Sequence, residues 1–387
     1  MKILITTDWY QPVINGVVTS VRVLSEELRK RGHEVRILTL SRTCRSHVEN
    51  QVIYVGSAGA GCIYPEARFR LPVSGKYIRD LMEWGPDIIH SQCEFSTFFL
   101  ARKIASERNI PIVHTYHTIY EDYTHYFSPR KTWGKEIVEK ITRRLSCRVS
   151  SIIAPSEKIL KILEGYGVAC PVCVIPSGIN LSAFAECRNA GWREKIRKKF
   201  GISHDTTVLV YMGRLAKEKN VEELIRYQKE AEKQGTVLMV VGDGPHRRYL
   251  EEKTEELKVQ KSVIFTGSVS PEETGRYYQA GDLFVSASTS ETQGMTYAEA
   301  LACGLPLLCR KDGCLNGIVE DGKNGWQYQD MEEFLNFIKK WRDADEDEIF
   351  RMRCAAREAA RRFSAGEFGR KVEMVYEQEM HRKSGAA

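Results

Sequence analysis

Short β-branched runs alternate with stretches of helical periodicity along the 387-residue chain, and that alternation admits few folds. A strand, a crossover helix and a second strand make a βαβ unit, whose product is a parallel sheet covered by helices. "MKILITT" reads as the first strand. Val17, Val21, Leu24 and Leu28 then fall at helical spacing, and Gly32 stops that helix before a second strand at 33–40. Further strands are expected at 87–92, 110–117, 151–156 and 171–178. A second set is expected at 206–215, 235–244, 261–270, 281–288 and 305–313, each followed by a helical period. The polar stretch 180–192 has no sustained period and reads as a linker, and "DADEDE" (343–348) reads as a solvated helix edge. The expectation is an α/β chain with two Rossmann-like, doubly wound domains, residues 1–179 and 190–365, facing across a cleft.

Composition narrows the class. With 42% hydrophobic and 28% charged residues the chain has what a globular core needs. Its apolar runs stay short of the ~18 residues that span a bilayer. The opening strand is too short for a secretory signal, so the expectation is a cytoplasmic protein. A net charge of +6 is too small to argue for nucleic acid, and none is expected as a partner. The 11 cysteines are odd in number and scattered, which fits reduced thiols. Cys170 and Cys173 form a single C-x-x-C without a second pair at zinc spacing, and read as small core residues.

The residues that carry chemistry lie just after strands, where doubly wound sheets bind ligands. "SASTSETQGMTYAEALACG" (286–304) places Glu291 and Glu299 eight apart around Gly294. A helix starting near Met295 would turn the amides of Gly294, Met295 and Thr296 towards an anion, with no glycine side chain in the way. Two carboxylates flanking an anion site suit a nucleoside-diphosphate sugar, each accepting from a vicinal diol. Read alone, the same spacing could equally be a solvated Glu291 and a helix-surface Glu299. "GRLAKEKN" (213–220) adds Arg214 and Lys219 in one turn, a pair able to neutralise a diphosphate, or else a charged surface turn. Gly16 stands at the first strand-to-helix turn, another place for close phosphate approach. "VVGDGP" (240–245) marks a similar turn, and neither is the G-x-G-x-x-G of a dinucleotide dehydrogenase.

Together these motifs resemble the retaining glycosyltransferases of family 4, which have the two-domain GT-B fold. The resemblance rests on Glu291 and Glu299 as the family's paired glutamates and on Arg214 with Lys219 as its cation pair. "IIAPSEKILKILEGYG" and "VIPSGI" match the end of the family's first domain. Asn180 departs from the acid usually found there. The resemblance covers nearly the whole chain and implies that the C-terminal segment 366–387, with a helix over about 366–383, returns to the first domain. It implies that Glu299 holds a ribose, that Gly294, Met295 and Thr296 hold the diphosphate, and that Glu291 holds the transferred hexose. Arg214 and Lys219 would neutralise the leaving group, so no metal or other cofactor is implied beyond the UDP-sugar co-substrate. His117 matches the histidine placed against the donor sugar.

"HTYHTIYEDYTHYF" (114–127) and "HSQCEFS" (90–96) resemble, more narrowly, the bacterial diacylglycerol glucosyltransferases. By that resemblance Tyr116, Tyr120, Asp122 and Tyr123 line the acceptor pocket. By spacing alone, Tyr116, Tyr120, Tyr123 and Phe127 form a helical packing stripe. In "RKTWGKEIVEKITRRLSCR" (130–148), Trp133, Ile137, Val138, Ile141 and Leu145 make one apolar stripe, with seven Lys/Arg against two Glu. That pattern suits an amphipathic helix on an anionic membrane through Lys131, Trp133, Lys135, Lys140 and Arg143. It suits equally a core helix with a solvated basic face. The expected enzyme moves an α-hexose from a UDP-sugar to diacylglycerol while bound peripherally to the inner face of the cell membrane. The alternatives are another lipid, a soluble acceptor, or a non-catalytic regulatory subunit.

Overall fold

The computed structural model describes the chain apart from residue 14 and residues 60–67, 72–74, 122–130, 187–190 and 385–387, with side chains undescribed at 131–133, 186 and 384. The chain divides into two compact units, Met1–Gly178 with Ala365–Ala387, and Ile179–Ser364.

The first unit contains β1 (Lys2–Thr6), β2 (Glu34–Leu40), β3 (His47–Glu49), β4 (Val52–Val55), β5 (Ser57–Gly59), β6 (Arg68–Arg70), β7 (Ile88–Ser91), β8 (Ile112–Thr115), β9 (Ser151–Ala154) and β10 (Val172–Val174). Among the described residues its main sheet runs β10-β9-β8-β7-β1-β2-β4-β3, parallel except for the antiparallel β3–β4 edge. β7, β8 and β9 are buried along their whole length. Sheets covered on both faces bury their strands in this way. On one face the helix Gly16–Lys30 starts with the Asn15 side chain accepting the Val18 N–H at 2.9 Å. Its Val21, Leu24 and Leu28 pack with Val372, Val375 and Tyr376 of the helix Ala365–Ser384. The helices Gly75–Trp84 and Ser96–Arg108 cover the other face.

A buried polar chain latches that last helix to the sheet. The Tyr376 hydroxyl lies 2.6 Å from His90 Nδ1, and His90 Nε2 lies 2.7 Å from Thr115 Oγ1. Burial, more than the neighbouring histidines, holds His90 well below its ordinary pKa, so the ring is neutral.

The second unit contains β11 (Thr207–Met212), β12 (Thr236–Val241), β13 (Val263–Gly267), β14 (Leu283–Ser286), β15 (Leu307–Arg310) and β16 (Gly325–Tyr328), in the order β13-β12-β11-β14-β15-β16, with every ladder parallel. The order reverses between β11 and β14 here, and between β1 and β7 in the first unit. Doubly wound sheets bind ligands outside the strand ends at such reversals.

Several expectations need correction. The stretch read as an irregular linker holds a helix, Leu181–Glu186, whose Phe184 joins the core of the second unit. The acidic run is solvated at helix ends as expected, and it also marks a helix boundary. One helix ends at Asp343, and Asp345 caps the next in a reciprocal box with Glu348. The β4 and β16 strands were not anticipated. β16 opens on Gly325 at φ +154°, where a Cβ would collide with the Leu307 carbonyl oxygen, and a glycine in that place reads as a loop. Tyr116 and Tyr120 share no helix, because Tyr116 follows β8 directly and lies 1% exposed in a core cluster. Tyr123, Phe127 and Asp122 lie outside the described residues. Every cysteine among the described residues is a free thiol, Cys170 and Cys173 included.

The latch predicts that Tyr376→Phe, which removes one hydroxyl and leaves the buried His90 Nδ1 without its partner, lowers the stability of the first unit by about 1–3 kcal/mol. Urea unfolding followed by near-ultraviolet circular dichroism measures it. A cost below about 0.5 kcal/mol shows that the hydrogen-bond chain contributes little.

Candidate active site

Two loops leave the second sheet side by side at its reversal. After β11 the chain turns through Gly213 at φ +154°, where a Cβ would sit 3.0 Å from the Tyr211 hydroxyl. The loop is clamped by the one after β12: the Gly213 N–H donates to Val241 O at 3.0 Å and the Leu215 N–H to Asp243 O at 2.9 Å. At Gly242 any side chain would strike the Gly213 carbonyl oxygen. This backbone-on-backbone contact accounts for the "VVGDG" composition and sets where residues 214–219 begin. A single 3-10 turn, Lys217–Lys219, then carries the chain to Asn220 in the left-handed region, ahead of the helix Val221–Ala231.

After β14, small residues lead to Gly294 at φ +73° and the helix Met295–Ala302. A Cβ on Gly294 would collide with the Tyr297 ring, and Tyr297 Oη lies 3.1 Å from Ser286 Oγ, fixing that ring on the strand end. The amides of Met295 and Thr296 belong to the first turn, which an α-helix leaves without intrahelical acceptors. Ser290 Oγ donates to the Glu218 carbonyl at 3.1 Å, stitching this loop to the previous one.

The side chains follow. Lys219 Nζ donates to Glu291 Oε1 at 2.6 Å, with both side chains about four-fifths buried, at 19% and 20% exposed. Arg214 lies 2.6 Å from Glu218. Glu299 accepts from the Tyr278 hydroxyl at 2.8 Å. Burial raises its carboxyl to about 7, and the tyrosine bond offsets only part of that. The two glutamates therefore differ in character: Glu291 is bound to a cation, while Glu299 sits near its titration midpoint at neutral pH. Burial and then the Glu291 charge push the Tyr297 phenol up, which keeps it neutral. Among the described residues no group of three or more His, Cys, Asp or Glu could hold a metal ion.

The first unit gathers a second set of polar groups at its own reversal. His117, just after β8, has its Nε2 2.7 Å from Gln92 Oε1. Since that oxygen only accepts, Nε2 carries the proton. Burial and then His114 lower His117 to about 3, so it is neutral, with Nδ1 left as an acceptor. Gly16 begins the helix Gly16–Lys30. The Tyr120 hydroxyl donates to Glu94, whose other oxygen lies 3.2 Å from His114 Nε2. Asp8, after β1, accepts the Ser96 and Thr97 amides at 3.1 and 2.8 Å. Burial raises Asp8 to about 6. Sequence reasoning missed Gln92, Glu94, Asp8, Glu218 and Tyr278. For the first three the available signal was position alone, since each falls within three residues of a strand end.

The 131–146 helix does not carry one apolar stripe. Val138, Thr142 and Leu145 are buried, whereas Ile137 and Ile141 are 47% and 53% exposed. The spacing 137, 138, 141, 145 straddles two faces. Lys140 is exposed, Lys135 pairs with Glu121 at 3.7 Å, and Arg143 pairs with Glu139 at 2.7 Å. The side chains of Lys131 and Trp133 lie outside the described residues. No helix among the described residues is long and apolar enough to cross a membrane.

Comparison with known proteins identifies the family and the fold. Residues 14–183 match the profile Glycosyltransferase Family 4, and residues 192–362 match Glycosyl transferases group 1. The alpha-monoglucosyldiacylglycerol synthase of Streptococcus pneumoniae is 38% identical over 85% of this chain and 75% of its own. The enzyme of the same name from Acholeplasma laidlawii is 34% identical over 87% of each chain. Among solved structures, Anabaena HepE in complex with UDP and glucose superposes with a TM-score of 0.77 at 19% identity, covering 98% of this chain and 100% of its own. The lipopolysaccharide glycosyltransferase WaaG gives 0.71 at 18% identity, covering 97% and 99%. The chain therefore belongs to glycosyltransferase family 4 and has the GT-B fold.

Proposed function

We propose that the protein transfers an α-glucosyl group from UDP-glucose to diacylglycerol, with retention at the anomeric carbon. The observation that carries the donor half is the cation-and-amide arrangement at the second unit's reversal: Lys219 held on Glu291, Arg214 in the same turn, and the helix starting at Met295. In this reading Gly294, Met295 and Thr296 face the diphosphate, Glu299 accepts from the ribose diol, and Glu291 accepts from the hexose hydroxyls. Arg214 and Lys219 neutralise the charge that grows on UDP as the glycosidic bond breaks, which is where fixed cations lower a barrier most. His117 accepts a donor-sugar hydroxyl through Nδ1, and Gly16 leaves room for close approach to the phosphates. The acceptor hydroxyl attacks from the face UDP leaves and passes its proton to a phosphate oxygen. The acceptor half is supported by the relatives named alpha-monoglucosyldiacylglycerol synthase, with Tyr120 the described acceptor residue that remains partly exposed. Tyr116 then supports the pocket from the core, while Asp122 and Tyr123 lie outside the described residues. Mass spectrometry of the product made from a panel of UDP-hexoses and lipids tests the reading, and a glycosylated water-soluble acceptor in place of a glycolipid overturns it.

We place the enzyme peripherally on the inner face of the cell membrane through the solvent-facing part of the 131–146 helix, where Ile137 and Ile141 stand beside Lys140 and Arg144. Apolar insertion and attraction to anionic headgroups would act together there. The Ile137→Glu/Ile141→Glu variant should keep its fold, because both side chains are about half exposed. It should lose at least about tenfold in binding to phosphatidylglycerol vesicles by sedimentation. Unchanged sedimentation shows that the membrane contact lies elsewhere.

The Glu299 assignment makes a pH prediction. A ribose diol donates, so it prefers the ionised carboxylate and lowers the carboxyl pKa on binding. UDP affinity should therefore strengthen as pH rises through about 7, by up to about tenfold for each unit that the pKa falls. Titration calorimetry at pH 6 and pH 8, with Glu299→Gln subtracted to remove the nucleotide's own titration, isolates the effect. Identical pH dependence in the two proteins contradicts the ribose role.

A further inference from the structure

The first unit has its own sheet reversal, between β1 and β7, and its carboxylates are held by amides, hydroxyls and a histidine where those of the second unit pair with Arg214 and Lys219. In the second unit the reversal presents two cations, each paired with a carboxylate, and a helix N-terminus. In the first, the equivalent helix N-terminus is already filled. Asp8 accepts from the Ser96 amide at 3.1 Å, the Thr97 amide at 2.8 Å and the Thr97 hydroxyl at 2.7 Å, so a carboxylate occupies the place where a phosphate would otherwise dock. A second carboxylate, Glu94, follows β7 with its side chain 8% exposed, between Tyr120 Oη and His114 Nε2.

His114 bears on what this place could hold. The ring is 0% exposed, and with Nε2 donating to Glu94 its Nδ1 is a buried acceptor for which no donor is found among the described residues. A buried acceptor without a donor is costly unless something supplies one. Immediately beside this polar group the surface turns apolar. Phe95 and Phe99, one helical turn apart, are 47% and 60% exposed, and Phe95 meets the Tyr120 ring edge-on at 5.8 Å between centroids. Buried hydroxyl acceptors, carboxylates in place of cations, and an exposed pair of phenyl rings leading away from them match a molecule with an uncharged hydroxyl at one end and acyl chains at the other.

We propose that Glu94 and His114 receive the acceptor's free hydroxyl, that Phe95 and Phe99 carry its acyl chains, and that the Asp8 and Glu94 carboxylates exclude phosphorylated lipids. This inference rests on the proposed glucosyl transfer to a lipid and adds what that reading leaves open, namely why a neutral lipid alcohol is chosen over a phospholipid bearing hydroxyls. A phosphate brought against two carboxylates in a low-dielectric site meets like-charge repulsion, and a neutral alcohol does not.

The test compares dioctanoylglycerol with dioctanoyl phosphatidylinositol as acceptors for UDP-glucose, using the full chain. Wild type should favour dioctanoylglycerol by at least about a hundredfold in kcat/KM. Phe95→Ser/Phe99→Ser should raise the KM for dioctanoylglycerol about tenfold, the loss expected when two phenyl contacts go. Phe350→Ser, a change at a phenylalanine 65% exposed in the second unit, should leave that KM within twofold. Glu94→Gln keeps an acceptor for Tyr120 but removes the charge, and should raise the phosphatidylinositol-to-diacylglycerol ratio about tenfold. A ratio does not depend on how much total activity survives the change. If wild type glucosylates dioctanoylglycerol but the double variant keeps its KM and Glu94→Gln keeps the ratio, this inference alone falls. If wild type glucosylates neither lipid and releases no UDP from UDP-glucose, the proposed function falls first and takes the inference with it.

Discussion

The ion pair between Lys219 and Glu291, 2.6 Å long and mostly shielded from water, joins loops that leave adjacent strands where the second sheet reverses its order. Neither residue could reach the other from an isolated turn. Their meeting depends on β11 and β14 being parallel neighbours, with Leu209 opposite Leu283 and Val210 opposite Phe284. It depends equally on short connections that carry no slack. Burying a cation and a carboxylate together avoids the cost of burying either alone. In the proposed function, this pair supplies Lys219 to the sugar diphosphate and Glu291 to the hexose.

Holding those loops is the task of glycine. Gly213 and Gly242 let the loops after β11 and β12 touch backbone to backbone, and Gly294 lets the chain turn under the Tyr297 ring into its helix. A side chain at Gly242 would strike the Gly213 backbone and one at Gly294 the Tyr297 ring, while Gly213 adopts φ +154°, so the positions of Lys219, Arg214 and Glu291 depend on residues with no chemistry of their own. The first unit solves a related problem differently. There, buried side chains position the groups: Gln92 sets the His117 tautomer, and Asp8 ties the β1 loop to the helix Ser96–Arg108.

Much of this was legible in the sequence because strands buried on both faces must be continuously apolar, and βαβ units must alternate. Glu291, Glu299, Arg214 and Lys219 stood out through their spacing beyond strand ends and their match to the family's paired glutamates and cation pair. What escaped has physical reasons. Phe184 sits in a six-residue helix too short to show a period. Glu94 and Tyr278 act through partners 26 and 21 residues away, a relation that spacing does not reveal. The 131–146 helix carries apolar residues on two faces, and a one-dimensional pattern merges them.

The central claim is that the second unit's reversal recognises a diphosphate through Arg214, Lys219 and the 295–302 helix. Titration calorimetry of uridine, UMP and UDP against wild type and Arg214→Ala tests it most directly. The account predicts that UDP binds at least about a hundredfold more tightly than UMP, and that Arg214→Ala removes most of that difference while leaving uridine affinity within twofold. Equal affinities for UMP and UDP, or a gap that survives the loss of Arg214, would contradict it.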